Sequence, residues 1–221
     1  MARYLKFLLI RHAESFGNID RRLEGQMSTG LSPQGQIQAQ QLGRYLQNQP
    51  APTHLYSSPL RRAVETARVL AESVNNVSLQ LEPLIQELHQ GIFQGLTWSE
   101  ASERYPELCA QLVATLDYQP VPEAETLAAA HRRAVTWYRH LWQHHQPGDM
   151  LWLVSHGGFM QQLIRVILGC DRTWQIPIGN TAIFEFWLAH PLTQPCQQDN
   201  PELWKIVKFN DISHLTIPAS K

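Results

Sequence analysis

Short apolar runs alternate along the chain with stretches of helical period. Tyr4 to Ile10 is mostly apolar and continuous, the pattern of a buried strand. It stops at Arg11-His12. Residues 13–31 show no clean period and read as a long loop. Ser32-Pro33 marks a helix start, with serine as N-cap and proline at the first helical position. Ala39, Leu42 and Leu46 give that helix its stripe, and Pro50 and Pro52 break it. A second strand at Leu55-Tyr56 precedes a helix on which Leu60, Ala63, Val64, Ala67, Leu70 and Ala71 recur. Val77 to Leu81 predicts a third strand. Thr97 to Leu116 predicts helix interrupted at Pro106, and Leu127 to Trp142 a long helix ending before Pro147-Gly148. Met150 to Val154 is another buried strand, stopping at Ser155-His156-Gly157-Gly158. The helix after it, over Met160, Leu163, Ile164, Ile167 and Leu168, closes near Gly169. Ala182 to Leu188 and Leu203 to Phe209 are late strands.

Strands alternating with helices predict an α/β fold whose mainly parallel sheet is covered on both faces. Ligands of such sheets bind beyond the carboxyl ends of strands. Two buried strands here run directly into a histidine, His12 and His156.

With 221 residues the chain suits one domain, 1–221, with the helical segment of about residues 97–125 as an insertion over the active site. Lys and Arg number 18 against 19 Asp and Glu, a balance that argues against a nucleic-acid-tracking surface but not against one local basic pocket. Cys109, Cys170 and Cys196 are odd in number and lack metal-ligand spacing, so a reducing compartment, the cytoplasm, is expected. The apolar stretch Phe7 to Ile10 is shorter than a signal-peptide core, and no run approaches a membrane span. No nucleic-acid or membrane partner is expected. The chain is expected to be a monomer or homodimer, and the tail from Ile217 to Lys221 to be loose.

Four segments carry candidate chemistry. In Arg11-His12-Ala13-Glu14-Ser15, a histidine held at a strand end can serve as nucleophile or base, and the arginine beside it can grip an oxyanion. The alternative is a capped strand end with a solvated arginine. Arg61 and Arg62 open a helix at its positive pole, where a bound anion would offset the conflict unless both point to solvent. Glu87, in Glu87-Leu88-His89-Gln90-Gly91, can donate a proton if its pKa is raised; a surface glutamate is the plainer alternative. In Ser155-His156-Gly157-Gly158-Phe159, two glycines permit close backbone approach and the helix start offers N–H groups to an anion. A tight turn explains the glycines without the histidine.

Taken together, these motifs resemble the histidine phosphatase superfamily, the phosphoglycerate-mutase-like family, from about Leu8 to Asn180. The resemblance implies a three-layer α/β/α sandwich. It implies that His12 becomes phosphorylated and that Arg11, Arg62 and His156 surround the phosphoryl group. Asn18 falls where the family places a further phosphate ligand, and Glu87, four residues before Gly91, matches the proton donor. Gly157 is expected beside the substrate. Catalysis would need no metal and no cofactor.

The family holds mutases and phosphatases. Glu87 and His156 are 69 residues apart, Thr97 to Tyr118 holds one basic residue, Arg104, and Gly17 precedes Asn18 where the mutase pattern has tryptophan. These departures predict a metal-independent phosphomonoesterase acting through phosphohistidine on a small phosphorylated metabolite, of the sugar phosphate, phosphoglycerate or phosphoserine class. A cofactor-dependent phosphoglycerate mutase is the alternative. A non-catalytic phospholigand-binding module and a metal hydrolase built from the ten histidines are alternatives of other classes. Adjacent His144 and His145 point to different azimuths of a helix and suit chelation poorly. His89, Trp98, Tyr105, Glu125 and Thr126 are candidates for the pocket's outer wall, Trp98 and Tyr105 equally for core. His131 lies near the apolar stripe of its helix. His54, His140, His190 and His214 have no motif context.

Overall fold

The computed structural model of the protein describes residues 3–74, 77–115, 118–189 and 200–215. Leu116, His190, Cys196 and the tail from Ile217 lie outside the described residues.

Alternation along the central strand builds the layers. In β1 (Leu5–Arg11), Leu5, Phe7 and Leu9 pack with α6 (Leu127–His144) and α7 (Gly157–Ile167). Leu8 and Ile10 point the other way, onto α2 (Pro33–Leu46) and α3 (Arg61–Ser73). Each such leucine or phenylalanine, fully buried, contributes about 1.5–3 kcal/mol. Trp152 of β4 (Met150–Ser155) fills the α2–α3 side and Trp137 of α6 the opposite one. The result is the three-layer α/β/α sandwich.

The six strands run in the order β3-β2-β4-β1-β5-β6, with β2 over His54–Ser57 and β3 over Leu79–Leu81. The pairings β3–β2, β2–β4 and β4–β1 are parallel. The late strands β5 (Ile183–Leu188) and β6 (Trp204–Asp211) add antiparallel pairings at one edge. Strand direction leaves no trace in hydrophobic pattern, so this edge was not legible in the sequence. The strand expected from Val77 begins only at Leu79, because the four-residue β2 offers partners only for Leu79, Gln80 and Leu81.

Residues 13–31, read as loop, contain one helical turn, α1 (Phe16–Ile19), closed by a capping box between Ser15 and Asn18. The segment broken at Pro106 forms α4 (Trp98–Arg104) and α5 (Pro106–Ala114). These two helices share a separate small core with Phe93, Ala101 and Cys109 at its centre. Among the described residues no helix is long and apolar enough to cross a membrane.

Candidate active site

The helices after β1 and β4 leave to opposite faces of the sheet, α2 to one and α7 to the other, so the crevice between these strands is the switch point where such sheets bind ligands. Register fixes what stands there. Arg11 pairs with Ser155, so His12 and His156 follow side by side. The His12 N–H donates to the Ser155 carbonyl at 2.9 Å, and the two rings lie 5.0 Å apart at 55°.

His12 is fixed in one tautomer. Its Nδ1 lies 2.7 Å from the Ala13 carbonyl, which can only accept, so Nδ1 carries the hydrogen. Nε2 keeps a lone pair, which accepts from Arg62 Nε at 3.2 Å. Burial, then the positive charges of Arg62 and Arg11, hold the His12 pKa well below the usual 6.5. The imidazole is therefore neutral, with no hydrogen on Nε2.

Arg62 is buried, whereas Arg61 is 64% exposed and paired with Glu65 at 2.6 Å. Arg62 also donates to the carbonyls of Met27 at 2.7 Å and Gly25 at 2.8 Å, and Glu24 stands 3.8 Å from its Nε. The charge conflict at the start of α3 is thus relieved by Glu24 and Glu65, without requiring a bound anion.

Two buried nitrogens in the crevice have no hydrogen-bond partner. Arg11 spends one guanidinium nitrogen on the Ile178 carbonyl at 2.5 Å, and its buried Nε has no partner. His156 is fully buried with Nε2 2.8 Å from Ser58 Oγ, and its Nδ1 has no partner. Ser58 Oγ also accepts from the Leu60 N–H at 3.3 Å; the imidazole tautomer with its hydrogen on Nδ1 is the one that would offer a donor to the crevice. A buried donor without a partner costs about 1–3 kcal/mol, a cost that a bound anion would offset here. Burial first, then Arg62, His12 and Arg11, lowers the His156 pKa well below 6.5.

Glu87 closes the site from the α7 side. Its carboxylate accepts from the N–H groups of Leu88 (2.9 Å), Gly158 (3.0 Å) and Phe159 (2.9 Å). A Cβ on Gly158 would sit 2.6 Å from Glu87 Oε1, so glycine is required there. A Cβ on Gly157 would meet nothing nearer than Arg11 Nε at 3.8 Å, so only the second glycine serves a close approach, and the approaching group is Glu87. Arg133 steadies the preceding loop: it grips Glu125 with two nitrogens (2.9 and 2.6 Å) and donates to the carbonyls of Leu84 and Gln86.

Asn18 sits on α1 with its amide already engaged. Its Nδ2 donates to Glu24 at 3.0 Å, and its Oδ1 accepts from Asn180 at 2.9 Å. Glu24, buried, also accepts from Ser15 Oγ at 2.7 Å and from Thr29. A Cβ on Gly17 would lie 2.3 Å from the Glu24 carboxyl carbon, so the glycine before Asn18 makes room for this acid. On the far side, the His12 carbonyl accepts from Asn180 Nδ2 at 3.2 Å and the Thr181 N–H at 3.3 Å. Thr181 is β-branched with φ of 58°, a conformation that costs roughly 1–3 kcal/mol. It persists because Oγ1 is bonded to the Asn180 carbonyl and to His214.

The crevice thus gathers Arg11, His12, Arg62, His156, Gly157 and Glu87, with Asn18 joined through Glu24 and Asn180. Glu24, Ser58, Asn180 and Arg133 were missed in the sequence. Ser58 stands just before the Arg61-Arg62 helix and Asn180 ends the family resemblance, but neither has a local pattern that marks its partner. The expected wall is more scattered. Tyr105 packs in the small α4–α5 core, Trp98 is 46% exposed, and Thr126 caps α6. His89 and Glu125 border a cavity of about 350 Å³ beside the Glu87 loop. His131 lines a larger cavity, about 520 Å³, between α6 and α7 and away from the histidine pair.

The neutral histidines set a pH dependence for folding. His12 and His156 stay uncharged in the fold, and burial takes His214 down to about 4. In the unfolded chain they protonate near 6.5, so acid favours unfolding. Stability is expected to be full above pH 7 and to fall progressively from 6.5 toward 4. Urea midpoints across this range check it; a flat profile contradicts it, and His214→Gln should make the slope shallower.

Comparison with known proteins gives the family. The family model of the histidine phosphatase superfamily (branch 1) matches residues 7–191. Phosphoglycerate mutase-like protein 4 of Arabidopsis thaliana is 28% identical over 96% of this chain and 87% of its own length. A metal-independent phosphoserine phosphatase of the same plant is 24% identical over 96% and 83%. The solved structure of a mycobacterial glucosyl-3-phosphoglycerate phosphatase superposes with a TM-score of 0.75 at 23% identity, covering 94% of this chain and 99% of that one. With a model match spanning most of its length, the chain belongs to branch 1 of the histidine phosphatase superfamily and is an enzyme of that family.

Proposed function

We propose that the protein hydrolyses small phosphomonoesters through a phosphohistidine on His12. The observation that carries this reading is the hydrogen-free Nε2 of His12, held by Arg62 Nε, at a crevice where the buried Arg11 Nε and His156 Nδ1 have no hydrogen-bond partner. Nε2 attacks phosphorus as the ester P–O bond breaks. Negative charge on the three equatorial oxygens is met by Arg11, Arg62 and His156, with Asn18 and the Gly157 N–H as further ligands. The departing oxygen takes a proton from Glu87, which enters the cycle as the neutral acid. Water then attacks phosphorus, the Nε2–P bond breaks, and Glu87 takes the water's proton, so two easier steps replace one hard one. To act as acid, Glu87 must exchange one of its N–H contacts for the ester oxygen.

The substrate class is a small phosphorylated metabolite; the phosphoserine and glucosyl-phosphoglycerate phosphatases among its relatives support this. The cavity beside His89 and Glu125 has the volume for such a molecule's remainder. In this reading residues 97–125 are the insertion over the active site. Their attachment supports it, since Arg22 binds Glu100 at 3.1 Å and Gln90 bridges Ala124. Cytoplasmic residence suits the free thiols of Cys109 and Cys170.

Charge neutralisation rests on the guanidinium groups of Arg11 and Arg62, so activity should survive chelation. A panel of phosphorylated metabolites assayed with EDTA is expected to show undiminished phosphate release for at least one member. Activity lost to EDTA and restored by zinc contradicts the mechanism. Phosphoglycerate interconversion outrunning phosphate release contradicts the choice of water as acceptor.

A further inference from the structure

At the opposite end of the sheet, His54, His145 and Asp149 come together from three separate elements. His54 opens β2, Asp149 immediately precedes β4, and His145 ends α6. The six residues of β4 put this cluster roughly 20 Å from His156. One ligand atom from each of the three residues lies within 4.8 Å of the others.

Hydrogen bonding leaves ring nitrogens without partners in this cluster. Thr53 Oγ1 donates its only hydrogen to the Met150 carbonyl at 3.1 Å, so the His54 Nδ1 at 2.9 Å must be the donor to that oxygen. His54 Nε2 is therefore bare. The His145 side chain is 2% exposed, and its Nε2 is 2.9 Å from the Tyr56 hydroxyl. Its buried Nδ1 has no hydrogen-bond partner and stands 3.7 Å from Asp149 Oδ2. That separation is too long for a hydrogen bond. It is close to the spacing of about 3.4 Å between ligand atoms around a tetrahedral zinc ion with bonds near 2.1 Å. Asp149 is itself held in place by the Gln146 N–H, which donates to Oδ2 at 3.0 Å.

We propose that His54 Nε2, His145 Nδ1 and an Asp149 oxygen bind one divalent ion of the zinc type, water completing the tetrahedron. Tyr56 is then the outer partner: its oxygen accepts from His145 Nε2–H and fixes the tautomer that offers Nδ1 to the metal. The ion is structural. It ties the end of α6 to the entry of β2 and β4, far from the phosphoryl chemistry. Adjacent His144 and His145 still do not chelate as a pair; His145 draws its co-ligands from other elements.

The full chain, stripped with chelator and dialysed, tests this by calorimetric titration with zinc alone. The expected result is one zinc per chain, a rise in Tm, and more than about 100-fold weaker binding in the double variant His54→Gln, Asp149→Asn, whose phosphatase activity stays at the wild-type level. Cobalt in place of zinc should give the intense visible bands of a tetrahedral site. Zinc-soaked wild-type crystals locate the ion by anomalous scattering without any substitution, and the peak is expected between the three side chains. No uptake by the wild type, unchanged binding in the double variant, or a peak elsewhere, such as at His140 and His144, overturns the proposal.

Discussion

Replacing His12 by alanine is expected to lower kcat by at least about 10⁴-fold, the scale on which removal of a nucleophile acts. The structure makes the loss specific. His12 contributes a hydrogen-free ring nitrogen at the mouth of β1, whereas Nε2 of His156 is turned to Ser58 Oγ. Arg11, Arg62 and His156 remain in the variant, so inorganic phosphate should still bind. A structural role for His12 would instead lower stability and phosphate affinity together while sparing kcat. Stopped-flow turnover, phosphate binding and the urea midpoint, measured on one preparation, separate the two. Turnover near the wild-type rate removes the mechanism.

Glu87→Gln is expected to reduce kcat/KM by about 10²–10⁴-fold for alkyl phosphates, the usual contribution of a general acid. The loss should be much smaller for p-nitrophenyl phosphate, whose leaving group departs without a proton. This dependence on leaving group distinguishes proton donation from the other task of Glu87. Its two oxygens hold the first N–H groups of α7, and glutamine can accept with only one of them, turning a donor toward Gly158 or Phe159. Loss of such a cap costs about 0.5–2 kcal/mol and would affect all substrates alike. An equal loss for both kinds of ester assigns Glu87 to positioning alone.

The histidine pair was legible because each histidine ends an apolar run that can only be a buried strand. The parallel register of β1 and β4 then brings the rings together. The family resemblance points to Arg62 and not Arg61, and burial in the fold makes the same distinction. What the sequence hid is nonlocal. Glu24 neutralises Arg62 and crowds Gly17, but nothing in its neighbourhood marks it as a buried acid. Asn180 and Thr181 hold the His12 carbonyl from the far side of the chain, at a backbone angle that composition does not encode. Arg133 reads as a helix-surface charge until Leu84, Gln86 and Glu125 close on it. The same holds for His145, which looked isolated beside His144 until β2 and β4 supplied its neighbours.

The central claim is covalent, and acid-labile phosphate on His12 tests it most directly. Rapid mixing of enzyme with a ³²P-labelled substrate, quenching in base and digestion should give one labelled peptide carrying His12. That label should form no more slowly than turnover and decay as phosphate appears. Turnover without any such species, or label on another residue, contradicts the account.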